Sequence, residues 1–280
     1  MNSELKRELQ ELALKIRIGA LEAIQSLGSG HVGGAMSIAD TLAVLYGGEM
    51  NIKVDDPKWE ARDKFVCSKG HAGPAVYATL AVKGFFPYEE LKTLNRPGTN
   101  LPSHCDKNKT IGVDMTTGSL GQGVSLAVGM ALGEKLKGSD SRVFLMVGDG
   151  EMNEGQVWEG AMFASARKLD NLILFLDWNK KQLDGTVKEI LDTGDIAKKF
   201  DAFGFDTQLV KGNDVEAIYE AIQAAKGVSG KPHAIVLDNI KGSGVKDVEE
   251  KVANHSIPVS KEDGDKWIAE LKAQIEALAK

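Results

Sequence analysis

The chain has 280 residues, 42% of them hydrophobic, with a formal net charge of −6 and a pI near 5.5. Such a length buries a large core as one or two domains. An acidic balance with no basic run excludes a nucleic-acid surface, and the lack of any stretch near ~20 apolar residues excludes a membrane span.

In chain order, Leu5, Leu9, Leu12, Ile16, Leu21 and Ile24 recur at helical spacing and predict an amphipathic helix over residues 3–27, ending at Gly28. After a Gly-rich turn, a second helical pattern covers Ile38 to Tyr46. Lys64 to Ser68 (KFVCS) reads as a short strand, and His71 opens a helix running to about Lys83. A loop marked by Pro and Gly, Pro97 to Asp114, precedes Gly118-Ser119-Leu120-Gly121-Gln122-Gly123, which leads into a helix of small residues, Val124 to Lys137. Arg142 to Val147 (RVFLMV) and Leu172 to Asp177 (LILFLD) read as buried strands, with a helix from Val157 to Lys168 between them. Then follow a helix near Asp195–Phe203, a strand Phe205–Val210, a helix Asp214–Val228, a strand Ala234–Asn239 and a tail helix at about 261–279.

This alternation predicts an α/β fold, a parallel sheet with helices on both faces. No repeat, low-complexity segment or linker divides the chain, so residues 1–280 are expected to form a single domain. Cys67 and Cys105 lack the CxxC spacing of a disulfide framework or zinc site. The amino end is charged and has no signal-peptide core, so a cytoplasmic location is expected.

The chemistry gathers where strands end. Val147-Gly148-Asp149-Gly150-Glu151 and Asp177-Trp178-Asn179-Lys180-Lys181 close the two buried strands of one strand–helix–strand unit. In a parallel sheet those ends lie side by side, on the edge where α/β proteins bind ligands. A carboxylate and an amide carbonyl meeting there are hard oxygen ligands, suited to Mg²⁺ that completes its shell with phosphate oxygens. Asp149 is expected at a loop tip. Gly28-Ser29-Gly30-His31-Val32-Gly33 matches GxGxxG, but a helix precedes it where the dinucleotide motif needs a strand; it reads instead as a helix cap and tight turn that displays His31 on a flexible loop. Of the five histidines, His31, His71, His104 and His255 sit in Gly- or Pro-marked loops, where functional residues concentrate, whereas His233 follows Pro232 at a strand start and reads as structural. The glycines from Gly118 to Gly123 either permit close helix–sheet packing or bring backbone N–H groups and a helix N-terminus to a ligand.

Taken together, GDGEMNEGQVWE and DWNKKQLDG, with SGHVGG, SKGHAG, LPSHCD, TGSLGQG and KGSG followed by NHSIP, resemble the diphosphate-binding half of a transketolase. The resemblance runs from about Ile16 to Pro258 with the blocks in the same order. It implies the thiamine-diphosphate-binding fold and a transferase that moves a two-carbon ketol unit between sugar phosphates, with pentose phosphate metabolism as one setting. It implies thiamine diphosphate and Mg²⁺, with Ca²⁺ or Mn²⁺ able to substitute, as cofactors. Asp149, Asn179 and the main-chain carbonyl of Lys181 match the metal ligands; the family usually has an apolar residue at the last position. Gly150, His71 and the backbone at Gly118 and Leu120 match cofactor contacts, and His255 matches a histidine between the diphosphate and the donor sugar. His31 and His104 match groups that hydrogen-bond substrate hydroxyls, and Glu154 matches an acidic residue at an interface between protomers.

A complete transketolase is more than twice this length and carries a pyrimidine-binding domain. The resemblance therefore points to the amino-terminal subunit of a split enzyme, which a carboxy-terminal subunit would complete in an α2β2 heterotetramer, with exposed apolar patches on the isolated chain. Two relatives share GDG…N: the α subunit of 2-oxo acid dehydrogenases, which lacks this set of histidines, and deoxyxylulose phosphate synthase, which keeps its pyrimidine domain in one longer chain. An orphan module that binds the cofactor without turnover is the alternative of a different class.

Overall fold

The computed structural model describes residues 1–279. Helix α1 (Ser3–Leu27) begins where the Asn2 side chain accepts from the Leu5 amide at 2.8 Å, and it stops at Gly28, as its spacing predicts. Strand β1 (Ser29–Gly30) follows at once, then helices α2 (Val32–Met36) and α3 (Ala39–Val44). The helix expected over 38–46 is thus shorter and runs on into a wider turn, Leu45–Glu49. Strand β2 (Lys64–Cys67) and helix α4 (Gly73–Lys83) are joined by a 3-10 turn holding His71.

Helix α5 (Gln122–Lys137), strand β3 (Val143–Gly148), helix α6 (Gly155–Ala166) and strand β4 (Leu172–Trp178) make the central unit. Helix α7 (Val187–Leu191) was not anticipated, although Thr186 and Glu189 form the reciprocal cap its sequence encodes. Helix α8 (Ile196–Ala202), strand β5 (Asp206–Lys211), helix α9 (Val215–Lys226) and strand β6 (His233–Asp238) come next. Helix α10 (Lys246–Glu249), strand β7 (Ile257–Pro258) and helix α11 (Lys261–Leu278) complete the order.

The sheet runs β2-β3-β4-β6-β5, every neighbouring pair parallel. Successive side chains of a strand face opposite sides. Phe144, Met146, Ile173, Phe175 and Ile235 therefore join one core with α1, α3, α4 and α9, while Val143, Leu145, Leu172, Leu174 and Leu176 join another with α5, α6 and α8. Burial on both faces explains why these strands read as unbroken apolar runs. His233 is fully buried at the start of β6 and bonds Asp206 through Nδ1 at 3.1 Å, a structural place.

One segment departs from expectation. The glycines around His31 do not form a flexible loop: Ser29 and Gly30 pair antiparallel with Pro258 and Ile257, and His31 stands at the start of α2. The pairing partner lies at the far end of the sequence, beyond the reach of local pattern. Just after it, the Gly33 amide donates to the Asn254 carbonyl at 3.0 Å, and a Cβ on Gly33 would lie 2.4 Å from that oxygen. Backbone meets backbone here, so no side chain can yield. Gly33→Ala is expected to cost about 1–3 kcal/mol through overpacking, read as a lower urea midpoint; an unchanged midpoint would contradict the contact.

Candidate functional site

At the carboxyl edge of the sheet a crevice of about 340 Å³ opens over β2, β3 and β4. Every candidate site residue named above lines it: His31, His71, His104, Gly118, Leu120, Asp149, Gly150, Glu154, Asn179, Lys181 and His255. Pairing of Gly148 with Asp177 across β3 and β4 places Asp149 beside the turn that carries Asn179. A wider, open groove of about 740 Å³ lies elsewhere, over Arg17 and Lys211. Among the described residues, no side chain lining that groove has a buried polar atom without a partner, whereas the crevice holds one.

That atom is Asp149 Oδ2. Asp149 is only 3% exposed, not at a loop tip as expected; Oδ1 accepts from the Gly150 amide at 2.7 Å and Oδ2 has no hydrogen-bond partner. Burial, together with nearby Asp177, pushes its carboxyl pKa up to about 7. An unpartnered buried carboxylate oxygen is costly, and a cation is the natural complement. Asn179 supplies an amide beside it, and the backbone turns sharply at Lys180, which adopts a left-handed φ of 67°. The Lys181 carbonyl accepts from Lys241 Nζ at 2.9 Å.

Asp177 ties these loops together. It is fully buried; Oδ2 accepts from Lys69 Nζ at 2.6 Å, Ser37 Oγ at 2.7 Å and Asn179 Nδ2 at 2.8 Å, and Oδ1 from Asn239 Nδ2 at 3.0 Å. Burial alone would raise its pKa, but the Lys69 ammonium and the other donors outweigh it and hold it low. Glu151 performs a similar task next door. Its carboxylate accepts from Ser68 Oγ, from the Gly121 amide at 2.7 Å and from the Gly148 amide at 3.1 Å. Gly121 holds a left-handed φ of 84°, which sends the chain into α5. The glycine segment thus has the Gly121 amide committed to Glu151 and the Gln122 amide to the Ser119 carbonyl, while Gly118 and Leu120 line the crevice.

The four loop histidines converge. Ring centroids of His31 lie 5.3 Å from His71, 5.7 Å from His104 and 5.3 Å from His255, and those of His71 and His255 are 4.7 Å apart. Burial and then Lys241 depress His255 to about 3. Burial and then Lys69 take His71 well below its ordinary value, and burial also lowers His31 and His104. Lys241, itself lowered to about 8 chiefly by burial, contacts His255 Nδ1 at 3.2 Å. The crevice is therefore lined by neutral imidazoles and two buried amines, an environment that favours an anion. Glu154 stands exposed on the rim, where α6 begins.

Lys69, Lys241, Asp177 and Glu151 escaped the sequence reading. Their signal is a charge at or just past the end of an apolar run, in KFVCSK, LILFLD, AIVLDNIK and RVFLMVGDGE.

A family model described as the transketolase thiamine diphosphate binding domain matches residues 9–275. The chain is 49% identical to the 6-deoxy-6-sulfo-D-fructose transketolase subunit of Clostridium sp. (strain MSTE9), over 97% of this chain and 99% of that protein. It is 36% identical to an apulose-4-phosphate transketolase subunit of Actinobacillus succinogenes, over 90% of this chain and 91% of that one. The solved transketolase of Campylobacter jejuni superposes with a TM-score of 0.88 at 31% identity, and that of Leishmania mexicana with 0.86 at 30%. Those matches span 99% and 97% of this chain but only 43% and 45% of the solved ones, so the chain corresponds to less than half of a full-length transketolase.

The depressed imidazoles fix a pH dependence. A histidine whose pKa falls on folding binds fewer protons folded than unfolded, so stability is complete above the unfolded value near 6.5 and declines as the pH drops below it. The Asp149 carboxyl, raised to about 7, works the other way, so the histidine effect is read by comparing wild type with a histidine variant: wild type should lose more melting midpoint on acidification from pH 7.5 to 5, at about 2–4 °C per kcal/mol for a large domain. His71→Asn should flatten that slope. An equal slope in the variant would show that His71 does not contribute.

Proposed function

This chain belongs to the transketolase family through its thiamine-diphosphate-binding domain, and from that premise we propose that it is the diphosphate-binding subunit of a two-chain transketolase. The buried, unpartnered Asp149 Oδ2 in a crevice shared with four histidines carries the proposal. The donor set fits a hard divalent cation: one carboxylate, the Asn179 amide and the Lys181 carbonyl, all oxygen, beside backbone amides suited to a diphosphate. Asp149, Asn179 and Lys181 would hold Mg²⁺, with Ca²⁺ or Mn²⁺ able to replace it. His71, Gly118, Leu120 and Gly150 would line the diphosphate, with Lys69 and Lys241 adding charge.

When bound, thiamine diphosphate supplies the electron sink that lets a ketose C2–C3 bond break and re-form. The chain's own residues then have two tasks. His31 and His104, neutral and half-buried, orient sugar hydroxyls as donors or acceptors. His255, with Lys241 at its Nδ1, is placed to give and take the proton on the C3 hydroxyl, in concert with His31. Held near 3 by burial and Lys241, His255 is a weak base in the protein alone, and the negative charge of a bound diphosphate would offset Lys241 and raise its basicity. Glu154, on the rim, would face the same residue of a second copy and link paired sites.

The pyrimidine-binding half would come from a separate polypeptide in an α2β2 assembly. Two observations support this: the relatives named as subunits are matched over nearly their whole length, and α5 and α6 expose Leu126, Leu136, Met162 and Phe163. No helix among the described residues is long and apolar enough to cross a membrane, and Cys67 and Cys105 are buried free thiols, which supports a reducing cytoplasm. For substrates, a ketose phosphate donor and an aldose phosphate acceptor follow from the family, with pentose phosphate metabolism as a setting. The 49% identity to a relative named for 6-deoxy-6-sulfo-D-fructose favours a second reading, a sulfonated ketose as donor.

The test is reconstitution with Mg²⁺, thiamine diphosphate and each candidate partner, followed by assay of ketol transfer from fructose 6-phosphate and from 6-deoxy-6-sulfofructose. No transfer from either donor with any partner would leave a cofactor-binding module. In the active complex, Asp149→Ala should abolish metal-dependent retention of the cofactor, measured by equilibrium dialysis; unchanged affinity would remove Asp149 from the site. His255→Ala should lower turnover about 10²–10⁴-fold while cofactor affinity persists, and full turnover in that variant would exclude the histidine from proton transfer.

A further inference from the structure

Lys181 has two ends that do different work. Its carbonyl points into the crevice, where Lys241 Nζ donates to it. Its ammonium donates to the carbonyl of Glu249 at 3.1 Å and to that of Lys251 at 3.0 Å. Glu249 is the last residue of α10, so one of these is a helix-terminal carbonyl that no later amide of its own helix satisfies. Both lie just before His255 in the chain.

The segment they belong to has no apolar anchor of its own. No side chain between Val248 and Asn254 is buried, and Val252 is 66% exposed. Besides Lys181, polar tethers hold it at its two ends: Glu249 Oε1 accepts from the Gly244 amide at 2.7 Å, Asn254 Nδ2 donates to the carbonyls of Lys241 at 3.0 Å and Val248 at 2.8 Å, the Asn254 carbonyl takes the Gly33 amide, and Lys241 Nζ meets His255 Nδ1 at 3.2 Å. A path without apolar burial is set by its polar tethers. An ammonium offers three donors, and two of them here span neighbouring carbonyls of one turn.

We propose that the Lys181 side chain is a positioning group for His255, fastening the 249–255 turn to the loop whose carbonyl faces the metal position. This rests on the function proposed above. The lysine makes one rigid unit of two parts that must keep register, the diphosphate end and the proton-handling imidazole. The apolar residue that the family usually places here would leave the two carbonyls to water.

The test compares Lys181→Met, which keeps the main-chain carbonyl but removes the donors, with Lys181→Arg, whose guanidinium can again span two carbonyls. In the full chain with Mg²⁺ and thiamine diphosphate, amide hydrogen exchange over 249–256 should quicken at least tenfold in Lys181→Met, with α1 unaffected. Modification of His255 by diethylpyrocarbonate, followed by mass spectrometry, should quicken in parallel. In the reconstituted complex, kcat/KM for the donor should fall about tenfold, with cofactor affinity within about twofold of wild type, and Lys181→Arg should restore exchange, reactivity and turnover. Unchanged exchange and His255 reactivity in Lys181→Met would overturn the proposal, as would a loss of turnover that arginine does not restore. If the wild-type complex transfers no ketol group, the functional reading fails by itself, and exchange and His255 reactivity still decide the role of the clamp.

Discussion

A carboxylate without access to water, Asp177, sets where four separate pieces of the chain stop. Its two oxygens accept hydrogen bonds from Lys69 beyond β2, from Ser37 between α2 and α3, from Asn179 beyond β4 and from Asn239 beyond β6. Burying a charge is unfavourable unless it is paired and fully hydrogen-bonded, and taking one partner from such a pair costs about 3–5 kcal/mol. The four donors are therefore obligatory once Asp177 is inside. Because they come from different elements, satisfying one side chain fixes the relative heights of three strand ends and a helix start. The turns that carry Asp149 and Asn179 start from those heights, and Glu151 ties the glycine segment to the same edge.

The electrostatic character of the crevice follows. Lys69 is spent on Asp177, but Lys241 is a second buried amine whose carboxylate neighbour, Asp149, keeps an oxygen free of any partner. Four imidazoles beside these amines are held uncharged by burial and by cationic neighbours. The crevice thus concentrates charged and polar groups whose demands the protein does not wholly meet by itself.

How much of this is legible in the sequence depends on how local its cause is. The start and stop of α1, the apolar strands and the approximate helices between them follow from short-range periodicity, and the reciprocal cap of α7 is encoded by Thr186 and Glu189, one helical turn apart. The GDG and DWN turns and the loop histidines that line the crevice are legible as motifs. Strand order is not, because β5 joins the edge beyond β6 through crossovers whose lengths permit other arrangements. Nor is the pairing of Ser29 and Gly30 with Pro258 and Ile257, since each two-residue strand has no periodicity of its own. Asp177 and Glu151 escape for a related reason: whether a charge at a strand end is solvated or enclosed depends on what packs over it.

That small antiparallel ribbon has a consequence for biogenesis. His31 emerges early during synthesis and His255 near the finish, and β1 has nothing to pair with until β7 has left the ribosome. Helix α11, which buries Trp267 against the core shared with α1, emerges later still. The gathering of the imidazole quartet and the completion of the core both wait on the last stretch of the chain, so a prematurely terminated polypeptide lacks them together.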